Sequence, residues 1–234
     1  MGFAAGTVRI VLLSLLAGCA LPANTGLSDW ARGAAVAVVR PLAGVAPEPA
    51  RDDATQAMQQ ALSNYLFALA LLADDGHFAI REEEFAALVR RVAVVEAKAA
   101  ADIAALALPL RAAAAEARPF WLPPSPSGPQ AELNDSRPPR LVLAADPPVQ
   151  RLLAAISRPI EDAAEADAIR HLALLRHLAA GHALLAARAD RLTQRETEIL
   201  LRGQSLRLRH ALAEMPPDPN PLAAGQAIAS VLPR

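Results

Sequence analysis

Apolar residues recur along most of the chain at intervals of three, four and seven positions, which is the spacing of one face of an α-helix. Alanine and leucine supply most of these positions, and alternation of apolar and polar residues, the sign of a half-buried strand, is rare. Both residue types favour helices. The pattern therefore predicts an all-α protein folded as an antiparallel helical bundle.

Four helices are predicted in the first half of the chain. Their expected limits are Ser28 to about Val39, Asp52 or Asp53 to Gly76, Glu82 to about Val95, and Ala97 to Ala117. Pro109 lies inside the fourth segment, and its ring and missing N–H are expected to kink that helix or end it early.

The second half begins after a proline-rich stretch, residues 118–140, which contains seven prolines and is predicted to be a linker. The next helix is expected to start at Asp146-Pro147-Pro148, with a capping residue before proline, and to end at about Ser157. A longer element follows it, and residues 216–234 are predicted to be a flexible tail.

That longer element carries a leucine stripe with a period of seven residues. The stripe consists of Leu178, Leu185, Leu192, Ile199 and Leu206. An unbroken period of seven predicts one nearly continuous C-terminal helix that packs along a partner helix. A capping box at Thr193–Glu196 leaves a break near Arg191 open as the alternative.

The predicted organisation has five parts. These are a signal peptide at 1–18, an N-terminal helical half at 19–117, the linker at 118–140, a C-terminal half of the same bundle at 141–215, and the tail at 216–234. Neither half carries enough apolar area to be stable alone, so both are expected to share one core.

The start of the chain has the order of a secretory signal peptide: Arg9, a short apolar run over residues 10–17, and small residues after it. The run is too short to cross a bilayer, which needs about 20 apolar residues. It ends in Leu16-Ala17-Gly18-Cys19, which resembles the lipobox of bacterial lipoproteins. The rest of the chain is similar to Ala-rich proteobacterial lipoproteins, a likeness that implies no activity.

The resemblance implies that Leu16, Ala17 and Gly18 are recognised by the signal peptidase and that Cys19 receives a diacylglyceryl group and an acyl chain such as palmitate. It also implies a lipid-anchored protein that faces the periplasm, and Ala20 after the cysteine is typical of sorting to the outer membrane. The alternative is an ordinary secretory peptide that leaves Cys19, the only cysteine, as a free thiol. A single cysteine cannot form an internal disulfide, which favours the lipobox.

Composition excludes several kinds of partner and cofactor. The formal net charge is −1, which gives no reason to expect nucleic acid. His171, His177 and His182 were the best metal or haem candidates, but they are six and five residues apart, whereas ligand pairs on one helix need a spacing of three or four. We expect no cofactor apart from the covalent lipid on Cys19.

Catalytic patterns are also missing. Asp74-Asp75-Gly76 fails as a calcium loop because Leu71 and Ala73 fall where oxygen ligands are needed, and no serine lies in a Gly-x-Ser-x-Gly context. The sequence thus predicts that the protein is not an enzyme but a structural or interaction scaffold of the cell envelope, with an envelope protein as a possible partner. The alternative is a carrier that binds an apolar small molecule or haem between helices.

Overall fold

The computed structural model describes residues 24–42, 48–74, 78–116, 137–162, 164–216 and 231–233. Over these residues the fold is all-α, which confirms the predicted class. The helices are α1 (Thr25–Val38), α2 (Pro49–Ala73), α3 (Glu82–Ala93), α4 (Ala97–Ala115), α5 (Arg137–Ser157), α6 (Ala166–Ala187) and α7 (Arg195–Ala213). Two 3₁₀ turns, Arg158–Ile160 and Ala189–Arg191, follow α5 and α6.

Helix α1 is largely buried in the bundle. It runs antiparallel to α2, because Arg32 pairs with Asp74, just after the end of α2, while the later Ala35 carbonyl accepts a hydrogen bond of 2.9 Å from the hydroxyl of Ser63, which lies earlier in α2. It also packs against α6 and α7. Its buried face is apolar and consists of Leu27, Trp30, Ala31, Ala34, Ala35, Ala37 and Val38.

Helices from both halves of the sequence contribute to a single buried cluster. Helix α5 packs on α2 and α4, and α7 packs on α1, so contacts cross the undescribed residues 117–136 on two sides of the bundle. Side chains such as Tyr65, Leu106, Leu152 and Leu201 all belong to this one cluster. One core therefore holds the N-terminal and C-terminal helices together.

The prediction of one continuous C-terminal helix is wrong. Helix α6 ends at Ala187, and α7 begins only at Arg195, after the extended backbone of Gln194. The break allows α7 to turn back along α1, so α7 buries Leu201, Ser205, Leu208 and Ala211 instead of the predicted stripe. Leu178, Leu185 and Leu192 are buried, but Ile199 and Leu206 are each 60% exposed.

Leu192 and Ile199 therefore offer a direct test of this break. Leu192→Asp should destabilise the protein by about 3 kcal/mol, because it puts an unpaired carboxylate into a buried site. Ile199→Asp should change the free energy of unfolding by less than about 0.5 kcal/mol, as is usual for the surface. Urea unfolding of both variants measures the difference. An equal loss of unfolding free energy in both variants would mean that Ile199 is buried like Leu192, as one continuous helix predicts.

Prolines did not set the helix boundaries that the sequence suggested. Helix α5 starts at Arg137, so the last four residues of the predicted linker are helical, and Pro147 and Pro148 lie inside α5 instead of starting a helix at Asp146. The carbonyls that these prolines leave without an N–H partner belong to Leu143 and Ala144, which are exposed and can be solvated by water. The buried face of α5 keeps its helical spacing across the site, which stabilises the helix there.

Smaller differences occur at four other places. Helix α2 starts at Pro49, three or four residues before the predicted Asp52 or Asp53, because proline fits the first helical position. The first helix starts at Thr25 rather than after a Ser28 cap, and α4 continues through Pro109 to Ala115. Within the predicted tail, Val231–Pro233 pairs antiparallel with Phe78–Ile80. The other residues of the tail after 216, like most of the predicted linker, lie outside the described residues.

Candidate functional site

The best-connected polar group in the core is a chain of three side chains from three helices. The Tyr65 hydroxyl of α2 lies 2.8 Å from Nε2 of His182 on α6, and Nδ1 of the same ring lies 2.8 Å from Oδ1 of Asp146 on α5. Tyr65 is fully buried and His182 is 1% exposed, whereas the Asp146 side chain is 30% exposed. The chain thus runs from the centre of the bundle to its surface.

Neighbouring groups contact the Asp146 end of this hydrogen-bonded chain and its central His182 ring. The Gln150 amide donates to Asp146 Oδ1 and to the Ala179 carbonyl of α6, each at 3.1 Å. The Trp30 ring of α1 lies with its centroid 6.5 Å from that of His182. Four helices therefore meet at His182, and three of them are joined there by hydrogen bonds.

The protonation states follow from burial. Desolvation lowers the pKa of His182, although the hydrogen bond to Asp146 opposes it, and desolvation raises the pKa of Tyr65 with a smaller contribution from the Asp146 charge. The imidazole is then neutral, its Nδ1–H donates to Asp146, and Nε2 accepts a hydrogen bond from the Tyr65 hydroxyl. The order of groups is like a nucleophile–base–carboxylate triad, but the hydroxyl is kept protonated and has no exposed surface. The hydrogen bonds of these three side chains join α2, α5 and α6.

A second histidine of α6 is buried without such partners. His171 has no exposed surface, and among the described residues neither ring nitrogen has a hydrogen-bond partner. Desolvation, with a smaller contribution from the Arg40 charge, lowers the pKa of His171 to about 4. The side chain is therefore neutral at pH 7 and is the least satisfied titratable group in the described core.

The predicted site residues lie in different parts of the molecule, and some lie outside the described residues. Leu16, Ala17, Gly18 and Cys19 lie outside the described residues. Of the three metal candidates, His182 belongs to the hydrogen-bonded chain, His171 is buried alone, and His177 lines a groove between α6 and α7. The part of the chain that the structure describes holds no cluster of three or more metal-ligating side chains.

Sequence reasoning missed Tyr65 and Asp146 as partners of His182. The apolar spacing of Met58, Leu62 and Leu69 places Tyr65 on the buried face of its helix without indicating a polar role, and the sequence predicts Asp146 only as a helix cap. A tyrosine in the middle of a buried stripe is a usable signal, because its hydroxyl needs a partner when it is buried. The identity of that partner depends on the packing of α5 and α6.

Two surface features could contact other molecules. A groove of about 450 Å³ lies between α4 and α5, and most of its lining is apolar, as with Leu108, Ala112 and Leu141. The second feature is α7, which presents Ile199 and Leu206 to solvent. Both features include apolar side chains that the described residues leave exposed, such as Leu108 in the groove.

None of the described helices is long and apolar enough to span a bilayer. Comparisons with protein-family models, curated proteins and solved structures found no match.

Proposed function

We propose that this chain is a lipid-anchored protein of the bacterial outer membrane whose helical bundle is an interaction scaffold in the periplasm. The observation that carries the proposal is Leu16-Ala17-Gly18-Cys19 after a charged and apolar lead. The lipid on Cys19 would hold the protein stably if it includes two or three acyl chains, since each buried CH₂ contributes about 0.8 kcal/mol.

The position of α1 supports a short coupling between anchor and bundle. Asn24, which precedes α1, is five residues after Cys19. Five residues span at most about 18 Å, because an extended chain covers at most about 3.6 Å per residue. Since α1 packs against α2, α6 and α7, a lipid on Cys19 keeps the whole bundle close to the membrane surface.

A scaffold role agrees with where the polar groups lie. The hydroxyl and imidazole of the Tyr65–His182 pair are sealed in the core and engaged with one another. The exposed surface instead offers helical faces with apolar side chains, such as Ile199 and Leu206 of α7. Faces of this kind bind other helices, so we propose a non-catalytic protein that binds through its surface.

A carrier is the second candidate, and the groove between α4 and α5 favours it. Its volume of about 450 Å³ and its lining by Ala105, Leu108, Ala112, Leu141 and Ala144 would suit an acyl chain or a similar apolar ligand. Haem ligation by His182 is not part of this proposal, because both ring nitrogens already face Asp146 and Tyr65.

The test of the anchor is Cys19→Ser. We expect this variant to lose all incorporation of radiolabelled palmitate and to leave the outer-membrane fraction, because no thiol remains to receive the diacylglyceryl group. Ser14→Ala, which leaves the four-residue motif intact, is the matched control and should label like the wild type. Full labelling of Cys19→Ser would refute the lipoprotein assignment.

Scaffold and carrier are separated by what accompanies the purified full-length protein. Mass spectrometry of organic extracts should recover only the lipids of the membrane if the protein is a scaffold. A stoichiometric apolar molecule that is lost in Ala112→Trp, a change that fills the groove between α4 and α5, would favour the carrier.

A further inference from the structure

Helix α7 carries an outward apolar face that the described residues of the chain leave exposed. Ile199 and Leu206 are seven residues apart, so they lie on one line of the helix, and each is 60% exposed. Gly203 lies between them on the same side, and a Cβ built on it meets no atom within 4 Å. We define these three residues as the α7 face.

Gly203 is the unexplained residue of the α7 face. Glycine is among the least favourable residues in the interior of a helix. Two of the other described helical glycines have a steric reason in the fold, since a Cβ on Gly26 would meet Glu198 at 3.0 Å and one on Gly181 would meet the Trp30 ring, whereas one on Gly33 would make only an ordinary contact of 3.6 Å with Leu208. A Cβ on Gly203 would meet none of the described residues within 4 Å, so another helix could approach this side of α7 closely.

We infer that the α7 face binds the α7 face of a second copy, in antiparallel orientation, with the two-fold axis beside Arg202 and Gly203. In this arrangement Ile199 of each copy packs against Leu206 of the other. The two symmetric contacts cover all four apolar side chains. The two glycines lie next to the axis, where the helices approach most closely.

The charges of α7 favour this orientation. Acidic residues, Glu196 and Glu198, lie in its first turn, and Arg207 and Arg209 lie near its end. An antiparallel pair brings Glu196 of one copy towards Arg207 of the other. Glu196 pairs with Arg188 of its own chain at 3.4 Å but is still 68% exposed, and Arg207 has no ion-pair partner among the described residues of its own chain. Arg202, close to the axis, is already neutralised by Glu198 at 2.7 Å. A parallel pair would instead align like charges.

The contact is expected to be weak in solution. A helix of 19 residues is about 28 Å long, and one such face covers less than the roughly 800 Å² per partner of a typical stable complex. Confinement of both copies to one membrane would raise their effective concentration. The inference thus names the partner of the proposed scaffold and rests on that role, while the contact itself does not require the lipid.

The geometry allows both copies to be anchored in the same membrane. The start of α1 lies beside Glu198, as the close approach of Gly26 to that residue shows. Glu198 is between four and five residues from the axis, or about 7 Å along α7. The two tethers therefore leave the dimer within about 15 Å of each other along the helix direction.

Disulfide crosslinking of full-length protein in native membranes tests the orientation. Two differently tagged copies, one Ile199→Cys and one Leu206→Cys, should form a mixed disulfide dimer, and Gly203→Cys should crosslink to itself. Ile199→Cys alone should not. Val36→Cys on α1, with 50% exposure, is the matched control and should stay monomeric. Crosslinking of Ile199→Cys to itself would mean a parallel pair, and no mixed dimer above the Val36→Cys level would mean no contact; either result overturns the inference.

Two further measurements separate this inference from the lipid anchor. If wild-type protein forms a disulfide through Cys19, the Cys19 thiol is not lipidated. The dimer is then measured on Cys19→Ser protein by sedimentation equilibrium, which does not depend on the lipid anchor. In that background Glu196→Arg should weaken dimerisation more than about tenfold by like-charge repulsion. Addition of Arg207→Glu to the same chain should restore it, because it restores opposite charges at both symmetric contacts. No loss, or a loss without rescue, would contradict the antiparallel pairing even if the anchor is real.

Discussion

Replacing Gly181 with alanine is expected to destabilise the protein by about 2 kcal/mol or more. A Cβ at this position of α6 would lie 2.5–2.7 Å from three atoms of the Trp30 ring, which is far inside van der Waals contact. The indole is rigid and only 1% exposed, so α1 and α6 must separate or the ring must leave its site. Overpacking costs about 1–3 kcal/mol or more, which exceeds the gain of about 1 kcal/mol in helix propensity.

Gly203→Ala is the matched control, because it makes the same chemical change in the middle of α7 where the Cβ meets nothing within 4 Å. It should stabilise the monomer by about 0.5–1 kcal/mol through helix propensity alone. Thermal unfolding of dilute protein should therefore show opposite shifts, with a roughly 4–8 °C fall for Gly181→Ala and a roughly 1–4 °C rise for Gly203→Ala. Shifts of the same sign would mean that Trp30 does not pack against Gly181.

The helices themselves could be predicted because their determinants are local. The apolar spacing of the segment that became α2 places Met58, Leu62, Tyr65 and Leu69 on one face, and all four are buried. The three glutamates and two arginines at opposite ends of α3 match its dipole and mark its limits. Local pattern is sufficient for the existence of such helices, and it locates most ends within a few residues.

The path of the chain after Ala187 could not be predicted from the same kind of pattern. A period of seven at Leu192, Ile199 and Leu206 fits one straight helix, but it does not record which residues lie against a neighbour. Helix α7 rests on α1, where Gly26 and Gly33 allow a close approach. That contact joins residues about 170 positions apart, so tertiary packing, rather than periodicity, decided which side of α7 is buried.

The hydrogen-bonded chain of Tyr65, His182 and Asp146 also could not be predicted from local sequence patterns. Tyr65 and His182 are separated by 117 positions, and His182 and Asp146 by 36. Each residue alone fits an ordinary role on its helix, as an aromatic, an interfacial histidine and a cap. Only the packing of α2, α5 and α6 brings the three together. The Cys19 motif, by contrast, is contained in four consecutive residues and needs no fold to be identified.

Acid is expected to destabilise the bundle before its carboxylates titrate, and His171 is one of the groups responsible. Its pKa is about 4 in the folded protein, against about 6.5 in the unfolded chain. Because the folded pKa is the lower one, the stabilisation is complete above pH 6.5 and is lost as the pH falls from 6.5 through 4. A shift of this size corresponds to about 3 kcal/mol in total, of which about 2 kcal/mol is lost by pH 5. The lowered pKa of His182 adds to the loss in the same direction.

Urea unfolding at pH 7.5 and pH 5 measures this loss of unfolding free energy. The variant His171→Leu shows how much of the loss is due to His171. Leucine has a similar volume and no polar atoms to leave unpaired, so the variant should be at least as stable as the wild type at pH 7.5. It should lose about 2 kcal/mol less than the wild type on going to pH 5. His177→Leu, at a half-buried position of the same helix, should retain the wild-type loss. An unchanged pH dependence in His171→Leu would mean that His171 is solvated or paired in the folded protein, and the acid sensitivity would then have to come from the Tyr65–His182–Asp146 chain.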